Sequence, residues 1–176
     1  LLSRAIEGSK PGSSWIRNKK AKYVHKTHEC APLLLPDHCS KAIFVFGDPI
    51  LAVISTMKNR MDHMHRKNCG YNGNPKDFDI VSRDDLNYEK MFDSWMLNDH
   101  NYPVLCVHMN AIHSHKNSIS GYVGRELRLP EFRQRKTSPK DISAEILGKI
   151  QNTYQSLIIK VNEAPKFAYR AARGKK

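Results

Sequence analysis

Long apolar runs are missing from this chain: none approaches the ~20 residues that a membrane-crossing helix requires, so no membrane anchor is expected within it. The first ten residues lack the basic, apolar and small-residue order of a secretory signal. The chain opens on Leu1 rather than Met, which leads us to expect a missing N-terminal piece. Nine glycines and nine prolines are too few for a collagen-like or linker sequence. The four cysteines, Cys30, Cys39, Cys69 and Cys106, make no Cys-x-x-Cys pair and follow no zinc-ligand spacing. That usage predicts a reducing, cytoplasmic setting, although an even count leaves one bridge open. Acidic side chains are scarce as well: 17 Asp and Glu face 29 Lys and Arg, for a net charge of +12.

What is present bounds the class. A length of 176 residues suits one domain rather than two. A chain of this size buries roughly 70% of its unfolded surface and needs no disulfide staple. A hydrophobic content of 40% excludes wholesale disorder. The positive surplus favours polyanions such as nucleic acid, phosphorylated cofactors and anionic substrates, and it equally suits a solvated basic surface.

Three short apolar runs read as strands: Lys22-Tyr23-Val24-His25, Ala42-Ile43-Phe44-Val45-Phe46 and Pro103-Val104-Leu105-Cys106-Val107. The last two are nearly continuous in β-formers, the pattern of strands covered on both faces of a parallel sheet. Helical spacing predicts helices over 49–66, 84–97 and 139–162. In the last, Ser138 caps, Pro139 takes the first position, and Ile142, Ile146, Ile150, Tyr154, Leu157 and Val161 share a stripe. Residues 66–80 read as a loop. Strands alternating with helices imply an α/β fold with a mainly parallel sheet. A basic tail is expected over 166–176, after one domain spanning 1–165. Cys106, inside an apolar run, is expected as a buried thiol.

Several constellations could carry chemistry. Gly8-Ser9-Lys10-Pro11-Gly12-Ser13-Ser14-Trp15 reads either as a phosphate-cradling loop or as an ordinary Gly/Ser turn. It lacks the Gly-Lys-Ser/Thr ending of a Walker A loop, which argues against a small-molecule kinase, although Asp48 could imitate a magnesium-holding aspartate. Lys26-Thr27-His28 follows the first strand, where parallel sheets bind ligands; there a histidine can remove a proton and a lysine can neutralise a leaving group. A capping or surface role for His28 stays open. Phe46-Gly47-Asp48-Pro49 through Ser55 is a strand running into a helix, either a second anion site or a plain turn with Pro at N1. His63 with His65, and His108 with His113 and His115, lack the carboxylate or thiolate spacing of a metal site. Arg125, Arg128, Arg133, Arg135 and Lys136, interleaved with Leu127, Leu129 and Phe132, could grip an anion or RNA or form a solvated loop.

Taken in order, these pieces resemble the cytosolic-type sulfotransferases, which use 3′-phosphoadenosine 5′-phosphosulfate. Ser9 to Trp15 is similar to that family's phosphosulfate loop. Lys26-Thr27-His28 with Leu33-Leu34-Leu35-Pro36 looks like its Lys-Thr-His segment and the run that follows. Phe44 to Ser55 looks like the strand and Arg-Asp-Pro…Ser segment that holds the 3′-phosphate. Phe92-Asp93-Ser94-Trp95, Tyr102 to Leu105, Tyr122-Val123-Gly124, Leu129-Pro130 and Phe132 to Arg135 follow the family's C-terminal half in order. Gly47 replaces the family's arginine, Pro11 replaces a loop serine, Met109-Asn110 replaces Tyr-Glu, and the C-terminal Arg-Lys-Gly-x-x-Gly motif is absent.

The resemblance implies a P-loop-like three-layer fold and transfer of a sulfuryl group to the hydroxyl or amine of a small molecule or glycan. On that basis His28 is the expected general base, with Lys10 and Lys26 at the transferring group. Lys10, Gly12, Ser13, Ser14, Trp15 and Ser55 would hold the co-substrate, and no metal is expected. The alternative is a catalytically degenerate relative acting as a basic structural or RNA-associated subunit.

Overall fold

The computed structural model describes residues 28–35, 39–58, 66, 71, 73–131 and 136–173. They form a mixed α/β structure with a three-stranded sheet. The strands are β1 (Ala42–Phe46), β2 (Val104–His108) and β3 (Phe167–Arg170), in that spatial order. β1 and β2 are parallel, with Ala42 opposite Val104 and Phe46 opposite His108. β3 runs antiparallel to β2, with Val104 opposite Arg170. β1 matches the expected run, and β2 begins one residue later than expected. The strand expected at 22–25 lies outside the described residues.

Alternation along the strands builds two cores, because successive side chains point to opposite faces. Ala42, Phe46, Val104 and Cys106 are buried on one face, with Phe44 and Ala168 packed beside them. Leu105 and Val107 are buried on the other, with Ile43, Val45 and Phe167 against them. The first face carries an aromatic cluster: Phe44 stacks on Trp95 (6.1 Å between centroids), and Phe92 meets Phe44 and Phe46 edge-on. Such pairs add about 0.5–1.5 kcal/mol each beyond the area they bury.

The helices covering these faces start and stop for local reasons. Helix α1 (Pro49–Lys58) begins with proline at its first position, and the Leu51 N–H donates to Asp48 Oδ1 (3.1 Å). Helix α2 (Tyr88–Met96) starts four residues later than expected. Asn87 sits in the left-handed region (φ 54°), while the Asp84 carboxylate accepts from the N–H groups of Tyr88 and Glu89, both at 2.9 Å. Helix α3 (Lys116–Val123), not expected from the sequence, packs Ile119 into the second core and ends at Gly124, whose φ of 81° suits a residue without Cβ.

The long helix expected over 139–162 is corrected to three pieces. Ser138 caps only a short turn, Pro139–Asp141, and Ile142 is extended. Helix α4 (Ala144–Thr153) then starts from a second cap, Ser143, and α5 (Gln155–Glu163) follows beyond Tyr154. The kink falls where Tyr154 is tied to the 80–83 segment: its buried hydroxyl donates to Ile80 O (3.1 Å), and Thr153 Oγ1 donates to Val81 O (2.8 Å). The tail expected from Lys166 begins instead with β3. Phe167 there packs into the second core, so part of that basic segment belongs to the sheet.

Candidate functional site

Parallel sheets place ligands beyond the carboxyl ends of their strands. In this fold that edge carries Gly47 and Asp48 after β1 and Met109 and Asn110 after β2. The two turns adjoin: a Cβ added at Gly47 would lie 3.5 Å from Met109 Cβ, an ordinary contact. His108 ends β2 with its ring edge-on to Phe46 (5.3 Å), and His108 Nδ1 accepts from the Asn110 N–H (3.2 Å). That bond puts the neutral ring's proton on Nε2.

The start of α1 is arranged less simply than an open anion site. Asp48 Oδ1 takes the Leu51 N–H, and the Asp48 carbonyl takes the Ala52 N–H (3.1 Å). The chain's own carboxylate therefore occupies the positive end of the helix, the role of an N-cap. Ser55 lies half-buried farther along α1. Its neighbour Thr56 bonds back to Ala52 O (3.0 Å) and meets Tyr88 OH at 3.2 Å.

His28 is half-buried, and the residues after it are docked on the end of α2. The Trp95 indole N–H donates to Glu29 O (2.9 Å), and the Ala31 N–H donates to Ser94 Oγ (2.9 Å). The Tyr102 hydroxyl donates to Pro32 O (2.6 Å), and burial pushes that phenol up to about 12. Motifs 63 and 66 residues apart are thus brought together. Of the other expected site residues, Lys10, Gly12, Ser13, Ser14, Trp15 and Lys26 lie outside the described residues.

Of the remaining sequence candidates, His63, His65, Cys69, Phe132, Arg133 and Arg135 lie outside the described residues. The Cys106 thiol is buried beside Trp95 O, and burial raises it to about 11, so it stays protonated. Cys30 and Cys39 are free thiols. His115 stacks on Phe167 (4.3 Å). Among the described residues no group of three His, Cys, Asp or Glu is placed to hold a metal. Leu127 is fully buried in the second core and carries Arg125 and Arg128, both exposed, on either side of it. No described helix is long and apolar enough to cross a membrane.

A depression of about 80 Å³ at the opposite, amino edge is lined by Ala31, Pro32, Leu33, Ser94 and residues 98–101. It has room for a few waters rather than a nucleotide, since ligand pockets run to roughly 300 Å³ or more. Sequence reasoning missed His100 there: buried, it stacks on Tyr102 (5.2 Å) and its Nε2 lies 3.3 Å from Trp95 O. No protein-family model, curated protein or solved structure matches this chain.

Proposed function

We propose that this chain is a compact sulfotransferase on a P-loop-like three-layer fold, moving a sulfuryl group from 3′-phosphoadenosine 5′-phosphosulfate to an acceptor hydroxyl or amine. The observation that carries this reading is the docking of the His28 segment on Ser94 and Trp95. It unites two stretches that both resemble that family, on a fold whose parallel strand pair has adjoining carboxyl-end turns. His28 would take the acceptor's proton as the acceptor attacks sulfur and the bond to the bridging phosphate oxygen breaks. Lys10 and Lys26 would stabilise charge on the leaving phosphate, so positioned cations do the work a metal could do. Gly12, Ser13 and Ser14 would donate to the 5′-phosphosulfate, Trp15 would lie near the adenine, and Ser55 would meet the 3′-phosphate.

A second reading has its own observation. Residue 47 is glycine, without the family's arginine, and the chain carries a net charge of +12. The first weakens a 3′-phosphate site and the second suits a polyanion, which favours a catalytically degenerate relative, a basic structural or RNA-associated subunit. Transfer of labelled sulfate from the donor to a panel of small-molecule and glycan acceptors separates the two. Labelled product that disappears with His28→Ala supports the enzyme; no product with any acceptor, together with salt-sensitive RNA binding, supports the subunit.

A further inference from the structure

From the contacts of α2 we infer that its last turn is a clamp that positions the candidate base, with Trp95 and Ser94 acting on His28 through the backbone of residues 29–31. This rests on the sulfotransferase reading and adds to it two positioning residues on a separate element. The contacts are complementary: the Trp95 N–H holds the Glu29 carbonyl, and Ser94 Oγ holds the Ala31 N–H while donating to Met91 O (2.8 Å) within the helix. Ser94 is thereby oriented as an acceptor. Trp95 is fixed in turn, buried and stacked on Phe44 of β1. A third bond, from Tyr102 OH to Pro32 O, anchors the same strip one residue on. These bonds refer a loop histidine to the rigid sheet, which is what a group engaged in proton transfer needs. Misplacement by about 1 Å is enough to cost about 100-fold in rate.

Trp95→Phe keeps a ring against Phe44 and removes the donor together with some buried volume; Ser94→Ala removes the acceptor with little change in volume, and Ser94→Thr restores it. We expect Trp95→Phe and Ser94→Ala each to lower kcat about 10- to 100-fold, with KM for the sulfuryl donor unchanged, and Ser94→Thr to recover most of the loss. In a His28→Ala background Trp95→Phe should cost nothing further, because the two residues act as one unit. The His28 ring resonances in NMR spectra should shift in both single variants. Wild-type kcat and unshifted His28 resonances in Trp95→Phe and Ser94→Ala would overturn the clamp. So would an equal loss of kcat with and without His28. If Trp95→Phe does not fold, Ser94→Ala against Ser94→Thr decides by the same readouts. If the wild-type chain transfers no sulfate, the sulfotransferase reading fails by itself. The His28 resonances then still decide whether Trp95 and Ser94 set that ring's place.

Discussion

The two edges of the sheet are built differently. At the amino edge, long-range side-chain bonds tie distant segments together. The Tyr122 hydroxyl reaches Ala42 O and Pro103 O (both 2.9 Å), and Lys41 bonds Tyr122 O while lying over the Tyr122 ring. Arg170 reaches Leu97 O and Asn98 O (3.3 and 3.2 Å), and Arg173 pairs with Asp99 (3.4 Å). At the carboxyl edge, the side-chain bonds of Asp48 and His108 close within two or three residues, as caps and tight turns, and the His108 N–H reaches across, to Lys166 O (2.7 Å) just before β3. An edge stapled across the fold carries stability. An edge whose side chains are satisfied locally leaves its loops to present functional groups. The comparison predicts that breaking the Tyr122 and Arg170 staples at the amino edge moves melting temperature, while changes at the carboxyl-edge turns move ligand binding.

The largest expected effect falls on the segment docked by α2. His28→Ala should lower turnover at least about 100-fold, since base catalysis is worth 10²–10⁴, while melting temperature and donor affinity stay near wild type. Steady-state kinetics with a melting curve checks this, and unchanged turnover would remove His28 from the mechanism.

Gly47→Arg comes next. The space beside Met109 admits a Cβ without strain. A guanidinium there should tighten binding of 3′-phosphoadenosine 5′-phosphate by about 1.5–3 kcal/mol, the worth of a charged hydrogen bond. Calorimetric titration of both proteins measures it, and equal affinities would mean that this edge does not hold the 3′-phosphate.

At the amino edge, Tyr122→Phe deletes the donor shared by Ala42 O and Pro103 O. It should cost about 1 kcal/mol, or roughly 2–4 °C in melting temperature, with turnover unchanged. A loss of turnover without a loss of stability would break the contrast between the edges.

The smallest effect concerns Lys160, which joins α5 to α2 through Asp93 and Glu89 (2.7 Å each). The bonds from Lys160 and Ser156 hold the Glu89 carboxyl below its ordinary 4.5, and Asp93 and then Glu89 raise the Lys160 ammonium above its ordinary 10.5. A depressed acid contributes stability above its unfolded value and loses it as pH falls through the folded one. A raised base contributes below its unfolded value and loses it as pH rises through the folded one. Lys160→Met should therefore cost a few tenths to about 1 kcal/mol at neutral pH, since each group is about a third exposed. Urea melts should show that difference shrinking below pH 4.5.

How much of this was legible in the sequence follows from the range of the forces involved. β1 and β2 were readable because Ala42–Phe46 and Val104–Val107 are unbroken apolar runs of five and four, bounded by polar residues, glycine or proline. The Ser138 cap and Pro49 start are local chemistry and were readable too. The kink at Tyr154 was not, because its hydroxyl answers carbonyls more than 70 residues away while the apolar stripe continues through it. β3 was hidden by the basic residues around Phe167, and α3 by serines and a glycine in its interior. At the candidate site, the motifs that meet were readable singly. Their meeting depends on backbone acceptors at Glu29 and Pro32, which no residue pattern marks.

Binding at the carboxyl edge is the central claim, and a thermal shift series tests it most directly. The unmodified chain is melted with 3′-phosphoadenosine 5′-phosphate, with magnesium ATP and with RNA, at fixed ionic strength. The sulfotransferase account predicts a saturable rise in melting temperature with the bisphosphate, a smaller one with magnesium ATP, and none with RNA that survives added salt. A rise with RNA alone, or with magnesium ATP and not the bisphosphate, would contradict it.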